Sequence, residues 1–249
     1  MFSWLQPSPL RYAWLLARQR GQSIRDWQLL CEEPALAGAS LAIVGNAGYL
    51  ADIDQGREID AHRLVLRMNN FRTAGFERQV GSRLDLFLTT FHRDVDLQRP
   101  ELAEARWLVA SVPNNFRRGS RPKLNFSHGT FITAGLIKLK RSEVFVPSRE
   151  YFATQCNQIG RYPTSGGMAI LLALDHLLPV CGAIYITGFS FFQGRSHYFQ
   201  DRQITPRNHD VAREAALLLA RLAPHLASGR VTIDPQMADH FCFLSRKAA

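Results

Sequence analysis

Two histidines in the last quarter of the sequence are candidates for acid/base chemistry. His197 stands in Ser196-His197-Tyr198-Phe199, and His209 precedes a helical run that carries Glu214. Histidine takes up or releases a proton near neutral pH, as the transfer of a group to a hydroxyl requires. His209 and Glu214 are five positions apart, which is about 140° around a helix. We therefore expect Glu214 to pair elsewhere and not to orient His209.

Small polar residues follow two predicted strands in the first third of the sequence. The first strand, Leu41–Val44, runs into Gly45-Asn46-Ala47-Gly48, and the second, Leu64–Met68, ends at Asn69. The side-chain amides of Asn46 and Asn69 offer uncharged donors and acceptors that can bind a base and a ribose. Taken alone, the glycine turn also has a purely structural interpretation, because glycine lets a chain reverse direction.

A second turn opens an apolar helical run at Tyr162-Pro163-Thr164-Ser165-Gly166-Gly167. Thr164 or Ser165 is suited to be the N-cap, and the free N–H groups and positive dipole end of the helix suit a phosphate. Capping alone is the structural alternative. Together with the two histidines, the turns favour a nucleotide-sugar site with acid/base chemistry attached.

An alternation of strands and helices must position these groups. The predicted strands are Leu41–Val44, Leu64–Met68, Leu84–Leu88, Trp107–Val112, Val144–Val146, Ala183–Thr187 and Val231–Ile233. The predicted helices are Thr130–Lys140, Arg149–Ile159, Ser165–Leu178 and Asn208–Leu226. This order predicts an α/β fold with a doubly wound, mostly parallel sheet that binds ligands at the carboxyl ends of its strands. The chain of 249 residues has room for one such domain, which we place at residues 40–249.

Residues 1–39 are predicted to form an amphipathic helix, from about Ser8 to Gly21, and a linker. Tryptophans and leucines lie beside arginines there, so the helix either rests on an anionic membrane through residues 1–25 or packs on the domain. The net charge of +9 favours anionic lipid, nucleic acid or phosphorylated glycans as partners, or is simply a basic surface. No apolar run is long enough to span a membrane, and we expect no secretory signal.

The spacing of cysteines and aspartates gives no specific signal for a metal site. The four cysteines are far apart without a CxxC pair, which suits a reducing compartment. Asp52-Ile53-Asp54 and Asp94-Val95-Asp96 match a short metal motif, but patterns of this length are common by chance. We therefore expect no metal at the site.

The order and content of these motifs resemble the four sialylmotifs of glycosyltransferase family 29, the sialyltransferases. The matching stretches are Leu41 to Leu88, Tyr162 to Phe189, His197-Tyr198-Phe199, and His209 with Glu214 in H-x4-E form. The resemblance implies a single-domain, GT-A-like variant fold. It also implies inverting, metal-independent transfer from CMP-sialic acid, or a CMP-linked acid sugar such as Kdo, to a glycan or glycolipid hydroxyl.

The resemblance also assigns roles to eight residues. The donor-binding residues that it implies are Asn46, Asn69, Tyr162, Thr164, Ser165 and Gly166. His197 would neutralise the departing phosphate, and His209 would take the proton of the acceptor hydroxyl. Apart from the CMP-sugar donor, the resemblance implies no cofactor.

Departures from the family pattern shape the expected location. Leu41 stands at the first site of the family's paired cysteines, and Cys181 is displaced from the second. We also expect no Golgi-type anchor or stem. We expect a bacterial, cytoplasmic enzyme. If its N-terminal helix binds lipid, we expect the enzyme to be attached peripherally to the inner face of the inner membrane. The alternative is a basic nucleotide- or nucleic-acid-binding module without catalysis. His197 and His209 argue against it, because a binder needs no base, so we do not expect nucleic acid as the partner.

Overall fold

One sheet of eight parallel strands forms the centre of the protein in the computed structural model, which describes residues 21–114, 128–201 and 208–248. The strands are β1 (Ser23–Asp26), β2 (Ser40–Val44), β3 (Leu64–Met68), β4 (Leu86–Thr89), β5 (Trp107–Ala110), β6 (Glu143–Val146), β7 (Ala183–Thr187) and β8 (Val231–Ile233). Their spatial order is β1-β6-β5-β4-β3-β2-β7-β8, and each neighbouring pair is parallel. The predicted α/β class with a doubly wound sheet is confirmed.

Helices connect the strands and cover the sheet. They are α1 (Trp27–Leu30), α2 (Gly56–Ala61), α3 (Glu77–Val80), α4 (His128–Leu139), α5 (Arg149–Ile159), α6 (Ser165–Leu172), α7 (Val211–Ala227) and α8 (Pro235–Ala248). Short 3-10 turns occur at Pro34–Leu36, Gly48–Asp52 and Pro100–Glu104, and a π-helical segment at Ala173–Leu177 continues α6. Within the described ranges, no helix has the length and apolar character needed to cross a membrane.

Both faces of the sheet are buried, as a parallel sheet requires. Alternate residues of β2 go to opposite sides: Leu41 and Ile43 join the largest apolar cluster, whereas Ala42 and Val44 join another. The largest cluster also contains the apolar residues of α6, of which Met168 to Leu172 are at most 1% exposed. The continuous apolar runs that predicted the strands therefore reflect burial on both sides.

The chain reverses its direction of travel across the sheet between β2 and β7. β2 pairs with β3 on one side and with β7 on the other, so the connections that leave these strands diverge and open a crevice. Gly188, which follows β7, adopts a φ of +82° and packs against Gly45 of the first turn. A Cβ atom at Gly45 would lie 2.1 Å from the Gly188 carbonyl oxygen, so no larger residue fits there. The close approach brings the two strand ends to one place.

Most predicted elements agree with the structure, and the differences have local reasons. Leu84–Leu88 begins two residues later, at Leu86, and Trp107–Val112 ends at Ala110. Ser165–Leu178 is helical throughout but changes from α to π geometry at Ala173. The strand β1 and the helices α1, α2, α3 and α8 were not predicted from the sequence. β1 reads Ser-Ile-Arg-Asp, a polar strand at the edge of the sheet, where exposure removes the apolar alternation.

Residues 23–39 belong to the sheet and the core, although the sequence analysis assigned them to the N-terminal segment and treated the stretch from residue 32 as a linker. β1 pairs with β6, and the Trp27 indole Nε1 donates to the Ala110 carbonyl at 3.1 Å. Trp27 and Leu36 are at most 1% exposed. Charged residues separate these apolar positions in sequence, which hides the pattern. The expected helix from Ser8 lies outside the described residues.

We expect Trp27→Ala to lower the free energy of unfolding by about 3–5 kcal/mol, because it empties a buried site and removes the bond to Ala110. Urea denaturation measures the change. The control Trp27→Phe keeps most of the packing and should cost much less. A loss below about 1 kcal/mol for Trp27→Ala would contradict the integral role of residues 23–39.

Candidate active site

A cavity of about 520 Å³ lies at the carboxyl ends of the central strands, a size that suits a small molecule. Its walls come from the segments that follow β2, β3, β4, β5 and β7 and from the start of α6. All eight site residues that the sequence analysis named line this one cavity: Asn46, Asn69, Tyr162, Thr164, Ser165, Gly166, His197 and His209. The sheet topology therefore brings together residues that are up to 163 positions apart in the sequence.

Asn46 follows β2 and presents an unused acceptor. Its side-chain Nδ2 donates to the Met68 carbonyl at 3.1 Å, and its main-chain carbonyl accepts from Tyr198 N–H at 3.1 Å. Its buried Oδ1 has no hydrogen-bond partner within the described part of the chain. A buried acceptor in this state is a natural partner for an O–H or N–H group of a ligand.

Asn69 ends β3 in the left-handed region, with a φ of +48° that asparagine tolerates better than most residues. The turn is held from two sides. Arg99 Nη2 donates to the Asn69 carbonyl at 2.6 Å, and Thr90 N–H donates to Asn69 Oδ1 at 3.4 Å. The guanidinium of Arg99 also donates to the Phe71 carbonyl. These bonds fix the end of β3 beside the cavity.

The start of α6 is held by a buried carboxylate. Thr164 is the N-cap, and its Oγ1 accepts from Gly167 N–H at 2.8 Å. Glu214 Oε2 accepts from Thr164 N–H at 2.7 Å, and Oε1 accepts from the Thr164 hydroxyl at 2.6 Å. The expectation that Glu214 pairs elsewhere than with His209 is confirmed. The remaining N–H groups of the first helical turn, from Ser165 and Gly166, are free to bind an anion in such a geometry.

Burial changes the charge of Glu214. The residue is 1% exposed, and desolvation raises its pKa to about 7, although the two bonds from Thr164 act in the opposite direction. A Cβ atom at Gly167 would lie 2.5 Å from the Glu214 carboxyl carbon, so this position of α6 requires glycine. The carboxyl group thus lies directly beneath the helix entrance.

His209 is fixed by the segment that leads into α6. Its Nδ1 lies 2.7 Å from the Tyr162 carbonyl oxygen. Because a carbonyl can only accept, Nδ1 carries a proton, and the lone pair of the neutral ring is on Nε2. This is the tautomer that a general base needs. Tyr162 and His209 both line the cavity.

The side chain of His197 is half-buried at the wall of the cavity. Its ring stacks on Phe199 with centroids 5.1 Å apart, and its buried Nδ1 has no hydrogen-bond partner among the described residues. Burial lowers the pKa of His197, which favours the neutral imidazole near pH 7. A neutral imidazole still donates one N–H bond, so His197 can act as a hydrogen-bond donor without a permanent charge.

The sequence analysis missed the cavity residues that follow β4 and β5. Thr90 and His92 follow β4, and Ser111 follows β5. The Ser111 hydroxyl is buried and without a partner in the described ranges, and His92 Nδ1 lies 3.0 Å from Asp94 Oδ2. The signal that could have found them is topological, because β4 and β5 continue the sheet beyond β3 and end at the same edge.

The sequence analysis also missed Asp234, which secures the end of β7. This residue is 1% exposed, and its Oδ2 accepts from the Tyr49 hydroxyl at 2.8 Å and from Gly188 N–H at 3.3 Å. Its Oδ1 accepts from Met237 N–H at 2.8 Å at the start of α8. Burial and the neighbouring Asp234 carboxylate raise the pKa of Tyr49, which keeps its hydroxyl protonated as a donor.

The two DxD sequences lie in different settings. Asp54 pairs with Arg78 on the surface, away from the cavity lining, whereas Asp94 lies at the cavity beside His92. In the parts of the chain that the structure describes, no group of three or more His, Cys, Asp or Glu side chains could hold a metal ion.

Comparison with known proteins identifies the family to which the chain belongs. Residues 36–224 match the family model described as glycosyltransferase family 29 (sialyltransferase). CMP-N-acetylneuraminate-beta-galactosamide-alpha-2,3-sialyltransferase 1 of Gallus gallus is 28% identical over 174 residues, which are 64% of this chain and 46% of that protein. Human alpha-N-acetylgalactosaminide alpha-2,6-sialyltransferase 2 is 28% identical over 213 residues, which are 71% and 56% of the two chains. The chain spans about half the length of the curated relatives that it matches.

The fold is similar to that of a solved mammalian sialyltransferase. The crystal structure of that enzyme superposes with a TM-score of 0.55 at 21% identity and covers 90% of this chain and 84% of the other. A second crystal structure, in complex with Gal-beta-1-3GalNAc-ortho-nitrophenol, gives a TM-score of 0.53 at the same identity. The likeness extends over nearly the whole chain and concerns the fold.

We expect the variant Glu214→Gln to be more stable than the wild type at neutral pH. The folded-state pKa of about 7 lies above the ordinary value of 4.5, so the native state binds this proton more tightly than the unfolded state. Ionisation therefore lowers the stability of the wild type as the pH rises from about 4.5 to about 7. Between these pH values, the free energy of unfolding of Glu214→Gln should rise by roughly 3 kcal/mol relative to that of the wild type. Urea unfolding at several pH values measures it.

The matched control is Glu214→Ala. Glutamine can still accept from Thr164 N–H and donate to its hydroxyl, whereas alanine leaves the buried N–H unpaired and should destabilise the protein by roughly 2–4 kcal/mol at every pH. A pH-independent difference between Glu214→Gln and the wild type would contradict the raised pKa of Glu214.

Proposed function

This chain belongs to glycosyltransferase family 29, the sialyltransferases, and we propose that it transfers a sialic acid from a CMP-activated donor to a hydroxyl group of a glycan. One observation carries the proposal. His209, in the tautomer of a general base, shares a cavity with the capped entrance of α6, and Tyr162 and Thr164 of one short segment hold both. A base and an anion site side by side are what transfer from a sugar phosphate needs.

The donor is proposed to lie across the start of α6. Its phosphate accepts from the N–H groups of the first turn at Ser165 and Gly166, where the helix dipole adds positive potential. Below pH 7 the carboxyl group of Glu214 is mainly protonated, which keeps negative charge away from the phosphate. Asn46 and Asn69, on the two neighbouring strands, bind the nucleoside through uncharged amide groups.

Transfer is proposed to proceed with inversion. The acceptor hydroxyl oxygen attacks the anomeric carbon from the face opposite the phosphate, and its proton passes to Nε2 of His209. The bond between the anomeric carbon and the phosphate oxygen breaks, and its electron pair remains on CMP. Negative charge therefore develops on the phosphate in an oxocarbenium-like transition state. We propose that the first turn of α6 and an N–H of His197 stabilise this charge.

The proposed donor is CMP-N-acetylneuraminate, and CMP-Kdo is the comparison. Both sugars are CMP-linked and carry a carboxylate on the anomeric carbon, so the nucleotide site alone does not separate them. The proposed acceptor is a galactose-containing glycan, because the name of the Gallus gallus relative specifies a beta-galactosamide and one similar structure holds Gal-beta-1-3GalNAc-ortho-nitrophenol. No metal is proposed, since a donor with a single phosphate has little need for a divalent bridge.

We expect purified protein to release CMP from CMP-N-acetylneuraminate and to sialylate Gal-beta-1-3GalNAc in the presence of EDTA. His209→Ala should lower the rate of transfer by roughly 10²- to 10⁴-fold at unchanged affinity for CMP, because it removes the base alone. His197→Ala should lower the rate roughly 10²-fold or more, since it removes a donor to the leaving phosphate. Product formation is followed by chromatography, with CMP-Kdo assayed in parallel.

The matched control is His225→Ala, which changes a histidine near the end of α7 that does not line the cavity. Its activity should equal that of the wild type. If the wild type neither binds CMP in calorimetry nor releases it from either donor, the proposed function is wrong. Salt-sensitive binding of RNA without transfer would then favour a nucleic-acid-binding module.

A further inference from the structure

The loop that follows β7 has an unusual backbone. Phe191 and Phe192 adopt φ values of +50° and +60°, so two adjacent bulky residues lie in the left-handed region. Aromatic residues rarely adopt this conformation, and such strain persists only where the surrounding structure enforces it. Both residues line the cavity.

Three contacts, one from Asp234 and two from α8, hold this loop in place. The Asp234 carboxylate accepts from Gly188 N–H at the start of the loop. The ring of Phe191 lies against that of Phe241, with centroids 4.7 Å apart. At the end of the loop, Gln193 Oε1 lies 3.4 Å from His240 Nδ1. The loop is thus braced along its length by the C-terminal part of the chain.

The two phenylalanines have different surroundings. Phe191 packs against the largest apolar cluster. Phe192 is half-buried, and in the described part of the chain it belongs to no apolar cluster and makes no ring contact. Packing in the core therefore explains the position of Phe191 but not that of Phe192. A ring held at a cavity wall by a strained backbone, outside the apolar clusters and ring contacts of the described residues, is suited to a ligand.

We propose that the ring of Phe192 is the surface on which the pyrimidine base of the CMP donor stacks. The proposal rests on the proposed function and specifies how the donor is recognised. Bases present flat π-faces that stack on aromatic side chains whatever their hydrogen-bonding pattern. Phe192 is an aromatic residue that lines the cavity but takes part in no apolar cluster and no ring contact among the described residues.

The position of the loop favours the donor over the acceptor. The start of α6, where the phosphate is proposed to bind, touches the same loop: a Cβ atom at Gly166 would lie 3.0 Å from the ring of Phe189. Gly188, at the start of the loop, lies against the turn of Asn46, whose unpartnered Oδ1 can accept from the nucleoside. A nucleotide with its phosphate at α6 and its ribose near Asn46 would place its base in the cavity that Phe192 also lines.

The test compares CMP with ribose 5-phosphate, which lacks the base, by calorimetry on the full chain. Phe192→Ala should weaken the binding of CMP by roughly 5- to 100-fold and leave that of ribose 5-phosphate unchanged. Phe192→Tyr keeps the π-face and should bind CMP like the wild type. Phe192→Leu keeps apolar bulk without that face and should resemble Phe192→Ala, which separates stacking from simple filling of space.

Each result has one meaning. Wild-type affinity for CMP in Phe192→Ala or Phe192→Leu would overturn the stacking proposal and leave the proposed function intact. A raised KM for the acceptor with unchanged affinity for CMP would assign the ring to the acceptor and also overturn it. If Phe192→Ala unfolds, the pair Phe192→Leu and Phe192→Tyr decides. Absence of CMP binding by the wild type would instead overturn the proposed function together with this inference.

Discussion

The candidate site depends on the hydrogen bonds that join α7 to the segment before α6. From the α7 side come the Glu214 carboxyl group, which binds Thr164 twice, and His209, which binds the Tyr162 carbonyl. One short segment thus fixes both the helix entrance and the base. A shift of this segment would move the anion site and the base together. His209 and Glu214, five positions apart, therefore bind two residues of one segment, Tyr162 and Thr164, and are not paired with each other.

Other residues of the family-matching stretch from Leu41 to Leu88 form the scaffold beneath the cavity. Arg67 is fully buried, donates to the carbonyls of Val80 and Arg83, and has a pKa that burial lowers to about 10. The Asp60 carboxylate accepts from the N–H groups of Ser82 and Arg83. These bonds secure the chain between β3 and β4. The motif residues that match the family thus divide into a few that line the cavity and several that hold the strands which carry them.

The sequence reveals features that local chemistry encodes. The strands β2, β3 and β7 consist mainly of apolar residues, and Thr164 and Ser165 are residue types suited to an N-cap, so the strands and the cap could be predicted. The edge strand β1 lacks an apolar pattern, and Asp234 reveals its role only through Tyr49 and Gly188, which are far away in sequence. The left-handed backbone at Phe192 is likewise a product of tertiary contacts, because its residue type argues against it.

The pairing of β2 with β7 has a consequence for biosynthesis. Ser40 pairs with Ala183, and the end of β7 is in turn secured by Asp234. A ribosome makes the chain from its N-terminus, so the first turn with Asn46 leaves the exit tunnel long before the strand beside it exists. Contacts of such high sequence separation form slowly and expose strand edges in the meantime. The nascent chain must therefore keep the unpaired edge of β2 from wrong partners until β7 has been synthesised.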